Sequence, residues 1–461
     1  MKLKFKMLNK LDLLRKKFSH WIKNTSYFKK WMFIGIFVGV VAGFGAVLFY
    51  NALSLATNIF LGVLADYRVP TPYAEGNSLG SLNYRHAWLI PAVVTLGGLI
   101  SALIVFIVAP EAEGHGTDAA IEAVHHDPRG IRARAIVAKI LASAITIGSG
   151  GSGGREGPSA QISAGIGSLI SKFLNLSDTD SKIAVSIGIG SGIGSIFGAP
   201  LGGAVLSGEI LYKDDIDGTV LLPSLLASSM GYLIFGLFEG FTPLFGFQAS
   251  GYHFNNPIQI IWFAVLGIAC ASVGILYSKL FYIFTKISKS IKIPFVIKPV
   301  LGSLLVGIMA IYIPEVLGTG YGWIQEVLNY DQLKTIPILV LILLPFLRIL
   351  ATSFSIGSGG SGGIFGPGMV IGAFTGAAFW TILNHFIPVL PHNPAPFVIV
   401  GMLSCFGSIS RAPIAVTLMV VEMTGSITIL APALVSIAIA SLIVKKFDMT
   451  IYTSQLQTRI H

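Results

Sequence analysis

The 461-residue sequence predicts an all-α polytopic membrane protein of two repeated halves with broken helices, an inverted-repeat arrangement only by analogy with other membrane proteins built of such halves, and three observations carry the prediction of spans and halves. Hydrophobic residues make up 53% of the chain and charged residues 11%, against roughly 25% charged in ordinary soluble domains. Apolar runs of bilayer-spanning length recur from Trp31 to Val444, with no polar stretch between them large enough for a soluble domain. The third observation is a repeat. Ile147–Gly167 reads IGSGGSGGREGPSAQISAGIG and Ile356–Gly376 reads IGSGGSGGIFGPGMVIGAFTG, an offset of 209. A soluble enzyme does not fit such a chain.

Residues 1–30 carry ten Lys and Arg from Lys2 to Lys30 against one acid, Asp12. Leu, Phe and Trp are interleaved and a span follows directly, so the segment reads as an interfacial helix on anionic lipid rather than a nucleic-acid arm. The positive-inside tendency puts this end in the cytoplasm. Apolar helical stretches then follow near 31–56, 88–109, 135–147, 158–175, 182–213, 219–238, 257–287, 296–313, 335–356, 367–390, 396–424 and 427–444, several too short to cross alone. Tyr67–Arg85 and Lys213–Asp217 are polar and read as loops. Lys445, Lys446 and Arg459 make the far end basic too, which places both termini in the cytoplasm with an even number of crossings. Cys270 and Cys405 lie in apolar segments and read as packing residues.

A second repeat pairs Gly194–Glu209 with Gly407–Glu422 at an offset of 213, matching Ala199-Pro200 to Ala412-Pro413. The organisation that follows is a first membrane repeat over 31–215, a connecting helix and loop over 216–256, and a second repeat over 257–461. With 53 Gly and 22 Pro, the spans are rich in helix breakers, which a membrane tolerates only where freed backbone groups are buried in protein or face water. Transporters built of repeated halves often invert one against the other, with broken helices meeting at the site.

Each glycine-rich segment sets a Gly/Ser run before a Gly-Pro step and an apolar helical run. Proline in the first turn loses no hydrogen bond, and glycine lets the backbone approach a ligand. The product is a helix N-terminus with unpaired N–H groups and a positive dipole end, suited to an anion. A nucleotide-binding loop is not indicated, because neither segment ends in Gly-Lys-Ser or Gly-Lys-Thr. Glu156 lies inside the first segment, and an intramembrane carboxylate is a functional candidate by default. At the matching position the second segment has Phe365, so one loop carries a titratable group and the other an apolar one.

Gly154-Arg155-Glu156-Gly157-Pro158 resembles the first signature of the CLC chloride channels and chloride/proton exchangers, and Gly363-Ile364-Phe365-Gly366-Pro367 resembles that family's second-half motif. Tyr452 falls where the family's C-terminal anion-coordinating tyrosine would stand, and the likeness runs from about residue 31 to the end. The resemblance implies a homodimer in the plasma (inner) membrane with one pathway per subunit, moving chloride and protons, with no cofactor, no metal and no nucleic-acid partner. Glu156 is then the gating carboxylate that swings away on protonation. Backbone N–H groups near Arg155, Glu156 and Gly157, and near Ile364, Phe365 and Gly366, would hold the anion, and the Tyr452 hydroxyl would add a donor.

Two departures qualify it. The family's early GSGIP stretch is Gly114-His115-Gly116-Thr117-Asp118 here, so His115 replaces the serine and Asp118 the proline, leaving His115, the Gly116 backbone or Thr117 to supply the donor. The internal glutamate of proton-coupled members falls on Ile210; Glu209 beside it is a possible proton relay, although its repeat partner Glu422 favours a structural role. A passive chloride channel and a fluoride-selective variant are therefore alternatives to antiport. His125, His126 and Asp127 read as a solvated loop rather than a metal site. Nine positions follow Tyr452, so appended regulatory domains are not expected. An intramembrane serine hydrolase is disfavoured because no serine elbow with a placed base is visible.

Overall fold

The computed structural model describes residues 22, 25–80, 86–246, 254, 256–387 and 389–459. The interfacial helix expected over 1–30 therefore lies mostly outside the described residues. Among the described residues there are seventeen α-helices, joined by short turns and isolated bridges. In the first half these are α1 (Tyr27–Thr57), α2 (Leu89–Val108), α3 (Thr117–His125), α4 (Ala133–Gly148), α5 (Glu156–Leu174), α6 (Asp178–Phe197), α7 (Pro200–Glu209) and α8 (Gly218–Glu239). The second half has α9 (Gln259–Ser290), α10 (Ile297–Tyr312), α11 (Tyr321–Leu328), α12 (Tyr330–Leu333), α13 (Ile338–Ser355), α14 (Phe365–Leu383), α15 (Ala395–Ile409), α16 (Pro413–Thr424) and α17 (Leu430–Lys446). Seven of the helical segments are long and apolar enough to cross a membrane, and the chain is an integral membrane protein.

The apolar runs 182–213 and 396–424 each prove to be two helices. Residue 199 before Pro200 is pushed out of the helical region, to φ −124° and ψ 69°, and Ala412 before Pro413 to φ −130° and ψ 58°. Each proline then starts the next helix, where its missing N–H has no partner to lose.

The repeat becomes a two-fold axis in space. Gly154 and Gly363, counterparts at the offset of 209, exchange both backbone hydrogen bonds as an antiparallel pair at 2.7 Å each. A residue can pair in that way with its own counterpart only across a two-fold. Around this pair, Gly114 N–H donates to Gly360 O and its carbonyl accepts from Gly362 N–H, while Gly318 N–H donates to Gly150 O and its carbonyl accepts from Gly153 N–H. Each half's Gly-x-Gly turn thus docks in the other half's glycine-rich loop.

The two halves are inverted. Asp217, at the start of α8, pairs with Arg459 at 3.1 Å, and Lys445, in the last turn of α17, reaches Asp214 at 2.7 Å. So α8 begins on the face where its counterpart α17 ends. Tyr27 donates to the Thr219 carbonyl, which brings the start of α1 to that face as well. Both ends of the described chain therefore lie on one side.

Small residues let the central helices touch. A Cβ on Gly167 of α5 would stand 2.3 Å from Ala184 O of α6, and one on its counterpart Gly376 of α14 would stand 2.1 Å from Phe397 O of α15. With that spacing the four innermost helices are almost wholly buried.

Candidate anion site

Three helix N-termini converge next to the two-fold: those of α3, α5 and α14. Glycine permits it. Gly116 ends the turn before α3 at φ +83°, and a Cβ there would meet Gly157 O at 2.7 Å. A Cβ on Gly157 would strike His115 O at 2.0 Å, and one on Gly366 would strike the Tyr321 hydroxyl at 2.4 Å. Convergent helix starts concentrate N–H groups and positive dipole ends at one point.

The Glu156 side chain occupies that point. It is 1% exposed, and its Oε2 accepts the Gly366 N–H of α14 at 3.1 Å, so the first half's carboxylate sits on the second half's helix N-terminus. Oε1 is buried with no partner among the described residues. Phe365, the counterpart of Glu156, turns instead into an aromatic cluster with Phe406 at 4.2 Å and Phe197 at 5.7 Å between ring centres. The Ile364 carbonyl accepts from the Tyr277 hydroxyl at 2.9 Å.

Tyr452 is buried at 1% exposure, with its ring beside those of Phe406 and His115. Asp118 holds it there. Its carboxylate accepts from Thr453 N–H at 3.3 Å, Thr453 Oγ1 at 2.8 Å and Ser454 N–H at 3.1 Å, which fastens the C-terminal segment to the start of α3. His115 lies alongside, its Nε2 3.2 Å from Asp118 Oδ2 and its ring 5.9 Å from that of Tyr452.

The Arg155 side chain stands apart from this cluster, although its backbone starts α5. Its guanidinium lines a cavity of about 260 Å³ beside the far end of α1, where Nη1 meets Glu75 Oε1 at 2.6 Å. The rings of Tyr321, Tyr50 and Phe197 surround it at 5.1 to 5.7 Å.

Glu209 is committed elsewhere. Its oxygens accept from Ile414 N–H at 3.1 Å and Ala415 N–H at 2.7 Å at the start of α16, and Glu422 accepts from Leu201 N–H at 3.0 Å and Gly202 N–H at 2.8 Å at the start of α7. Each carboxylate caps the helix that carries its partner, the structural role suggested by the repeat. Ile210 is fully buried. His125 is not simply solvated: its Nε2 lies 3.0 Å from Leu211 O and its ring against Tyr212, which docks the end of α3 on the loop after α7.

Two functional supports went unread in the sequence. Lys139 of α4 and Arg348 of α13 are counterparts at the offset of 209, and both are fully buried. Lys139 Nζ donates to Ala112 O and Gly114 O at 3.1 and 2.7 Å; Arg348 donates to Glu315 O, Leu317 O and Gly318 O at 2.5 to 3.2 Å. Each cation clamps the turn that leads into its half's Gly-x-Gly. The signal was available as two cations at equivalent places within apolar runs, Lys139 in 135–147 and Arg348 in 335–356.

The sequence model described as voltage gated chloride channel matches residues 97–445. An uncharacterized protein of Methanocaldococcus jannaschii is 28% identical over 396 residues, covering 86% of this chain and 89% of that protein. A Vibrio parahaemolyticus protein named H(+)/Cl(-) exchange transporter ClcA is 29% identical over 357 residues, covering 73% and 74%. Among solved structures, a CLC-type fluoride/proton antiporter aligns with a TM-score of 0.79 at 19% identity, over 95% of this chain and 100% of that one. A slow cyanobacterial Cl-/H+ antiporter aligns with a TM-score of 0.75 at 20% identity, over 92% and 96%. At these identities the two structures establish the shared fold. With three-quarters of its length matched by the family model and helix N-termini gathered at a buried site, the chain belongs to the voltage-gated chloride channel (CLC) family of anion-transporting membrane proteins, which are transporters or channels and not enzymes.

Proposed function

We propose that the protein exchanges chloride, and similar monovalent anions, for protons, with Glu156 as the gate. The observation that carries this reading is the Glu156 carboxylate on the Gly366 N–H. A carboxylate is itself an anion, and it takes the donor that a chloride would use. Protonation removes its charge, weakens its hold on the α14 N-terminus and yields the place to the anion. Backbone and hydroxyl donors, including Tyr452, bind a halide without a permanent full charge in contact, which lets it leave again. The name of the Vibrio relative agrees with the exchange. In this reading the protein works as a homodimer with one pathway per subunit, in the plasma (inner) membrane. Both ends of the described chain on one face accord with cytoplasmic termini.

A passive anion channel is the second reading, and one observation favours it: Ile210 cannot relay a proton and both Glu209 oxygens are engaged as a helix cap. Reversal potentials of the protein in lipid vesicles separate the two. Under a proton gradient at fixed chloride, exchange shifts the zero-current voltage, and a channel leaves it unmoved. Competition by fluoride and bromide in the same vesicles ranks the anions.

A further inference from the structure

We propose that His115 is a protonatable anion donor, so that the Asp118–His115 pair lets a monovalent anion bind beside Tyr452 together with a proton. The proposal deepens the transport reading above and rests on it. Asp118 accepts hydrogen bonds from Thr453 and Ser454, which identifies it as a charged acceptor. The nearest imidazole nitrogen, Nε2 at 3.2 Å, must then be the one that carries hydrogen. A neutral ring has a single N–H, so Nδ1 presents a lone pair. That atom is buried and has no partner among the described residues, in a ring that is over nine-tenths buried between Phe281 and Tyr452. A lone pair repels an anion. One added proton turns Nδ1 into a donor and makes the ring a cation whose counter-charge, Asp118, is already in place.

Few charged groups face the ring besides Asp118. On α3 the facing charge is Asp118. From α9, Tyr282 reaches Asp118 at 3.4 Å, and Phe281 presents its edge to the imidazole. From α4, the Lys139 ammonium is held on the Ala112 and Gly114 carbonyls. Glu113, in the turn before His115, faces Lys139, Lys289 and Lys298. Across the site stand Tyr452 and, beyond it, Glu156. A serine at this position would donate at every pH. Histidine donates toward the anion only when protonated, which adds a second proton-linked step to the one at Glu156.

The test removes the first step in order to expose the second. Purified Glu156→Gln protein is titrated with chloride by calorimetry between about pH 5.5 and 8, in two buffers of different ionisation enthalpy. The expected result is a Kd that rises by about tenfold per pH unit on the alkaline limb, with uptake of a proton on binding. Adding His115→Asn should flatten the profile, and Asp118→Asn should move it to lower pH. In Glu156→Gln protein carrying 15N-histidine, chloride added across the same pH range should raise the doubly protonated fraction of the His115 ring, a readout that needs no histidine variant. Chloride binding that is flat with pH, or ring signals that ignore chloride, would overturn the proposal and leave the anion site intact. No chloride binding at any pH would overturn the anion site itself.

Discussion

The two glycine-rich loops share a start, a Gly-Pro step and a helix of nineteen residues, yet they carry opposite side chains into the centre. Glu156 crosses the two-fold and rests on the partner loop's backbone; Phe365 withdraws among Phe197 and Phe406. The same contrast runs through the rest of the molecule. Lys139 holds two carbonyls where Arg348 holds three, and His115 stands where the second half has Thr319 in the equivalent Gly-x-Gly turn. Symmetry builds the scaffold by bringing helix starts together. In the proposed exchange, asymmetry at a few side chains gives the scaffold a direction, because Glu156 of the first half is the group that blocks the site and takes a proton, and its counterpart is Phe365.

The largest effect is expected where the scaffold itself is cut. Arg348→Met strips the Glu315 and Leu317 carbonyls of their donor and leaves Gly318 O only the Gly153 N–H, a loss of about 3–5 kcal/mol, whereas after Lys139→Met the Ser361 hydroxyl still serves Ala112 O and the Gly362 N–H still serves Gly114 O, so the loss is about 1–2 kcal/mol. Thermal unfolding of the detergent-solubilised protein should rank them in that order. A Lys139 variant less stable than the Arg348 variant would show that the counterparts do not perform one task.

Next comes the asymmetry at the gate. Glu156→Gln should abolish the coupling of protons to anions while anion flux persists, whereas Phe365→Leu should keep coupling and lower stability by about 1–2 kcal/mol through lost packing. Parallel recordings of proton and chloride flux in vesicles check both. Coupling that survives in Glu156→Gln would remove the gate from the first loop.

How much of this was legible depends on the kind of signal. The N-termini of α5 and α14 could be read because a long glycine-rich string recurs at a constant offset. The breaks at Ala199-Pro200 and Ala412-Pro413 were seen as a match but not as helix ends, since apolar residues continue on both sides and hydropathy does not register a backbone turn. The third repeat, Pro110–Gly116 with Pro314–Gly320, was missed because it has a different offset, 204, and shares only Pro-Glu and Gly-x-Gly. Asp118 is visible as a departure from the family stretch, but its grip on Thr453 and Ser454 joins positions more than 330 residues apart. No local pattern encodes that contact.

The reciprocal caps offer a finer probe of the symmetry. Glu209→Gln and Glu422→Gln each keep an acceptor oxygen and lose the charge that favours a helix N-terminus, so each should cost about 1 kcal/mol, and the double variant about the sum. Equal losses of thermal stability with unchanged proton flux are expected. If Glu209→Gln alone lost proton flux while its chloride flux and fold were intact, the first half's carboxylate would be a relay and the two caps would differ in function.

The smallest effect lies at the face shared by both ends of the described chain, where ion pairs cross between the two halves. There Asp214 meets Lys445 at 2.7 Å and Arg411 at 3.8 Å. The hydrogen bond from Lys445 holds the Asp214 carboxyl below the usual carboxylate range. A carboxyl with a lowered folded value binds its proton more weakly than in the unfolded chain, where it titrates near about 3.9. Its contribution is therefore complete above that pH and disappears as pH falls through the folded value. Because the site is near solvent, the gain is under about 1 kcal/mol and is screened by salt. Asp214→Asn should unfold slightly earlier than the unmodified protein at pH 7 in dilute buffer, and the gap should close both at high salt and as pH falls through the folded value. A gap that persists in acid would mean that Asp214 acts through neutral hydrogen bonds, such as the one from Gln457, and not through its charge.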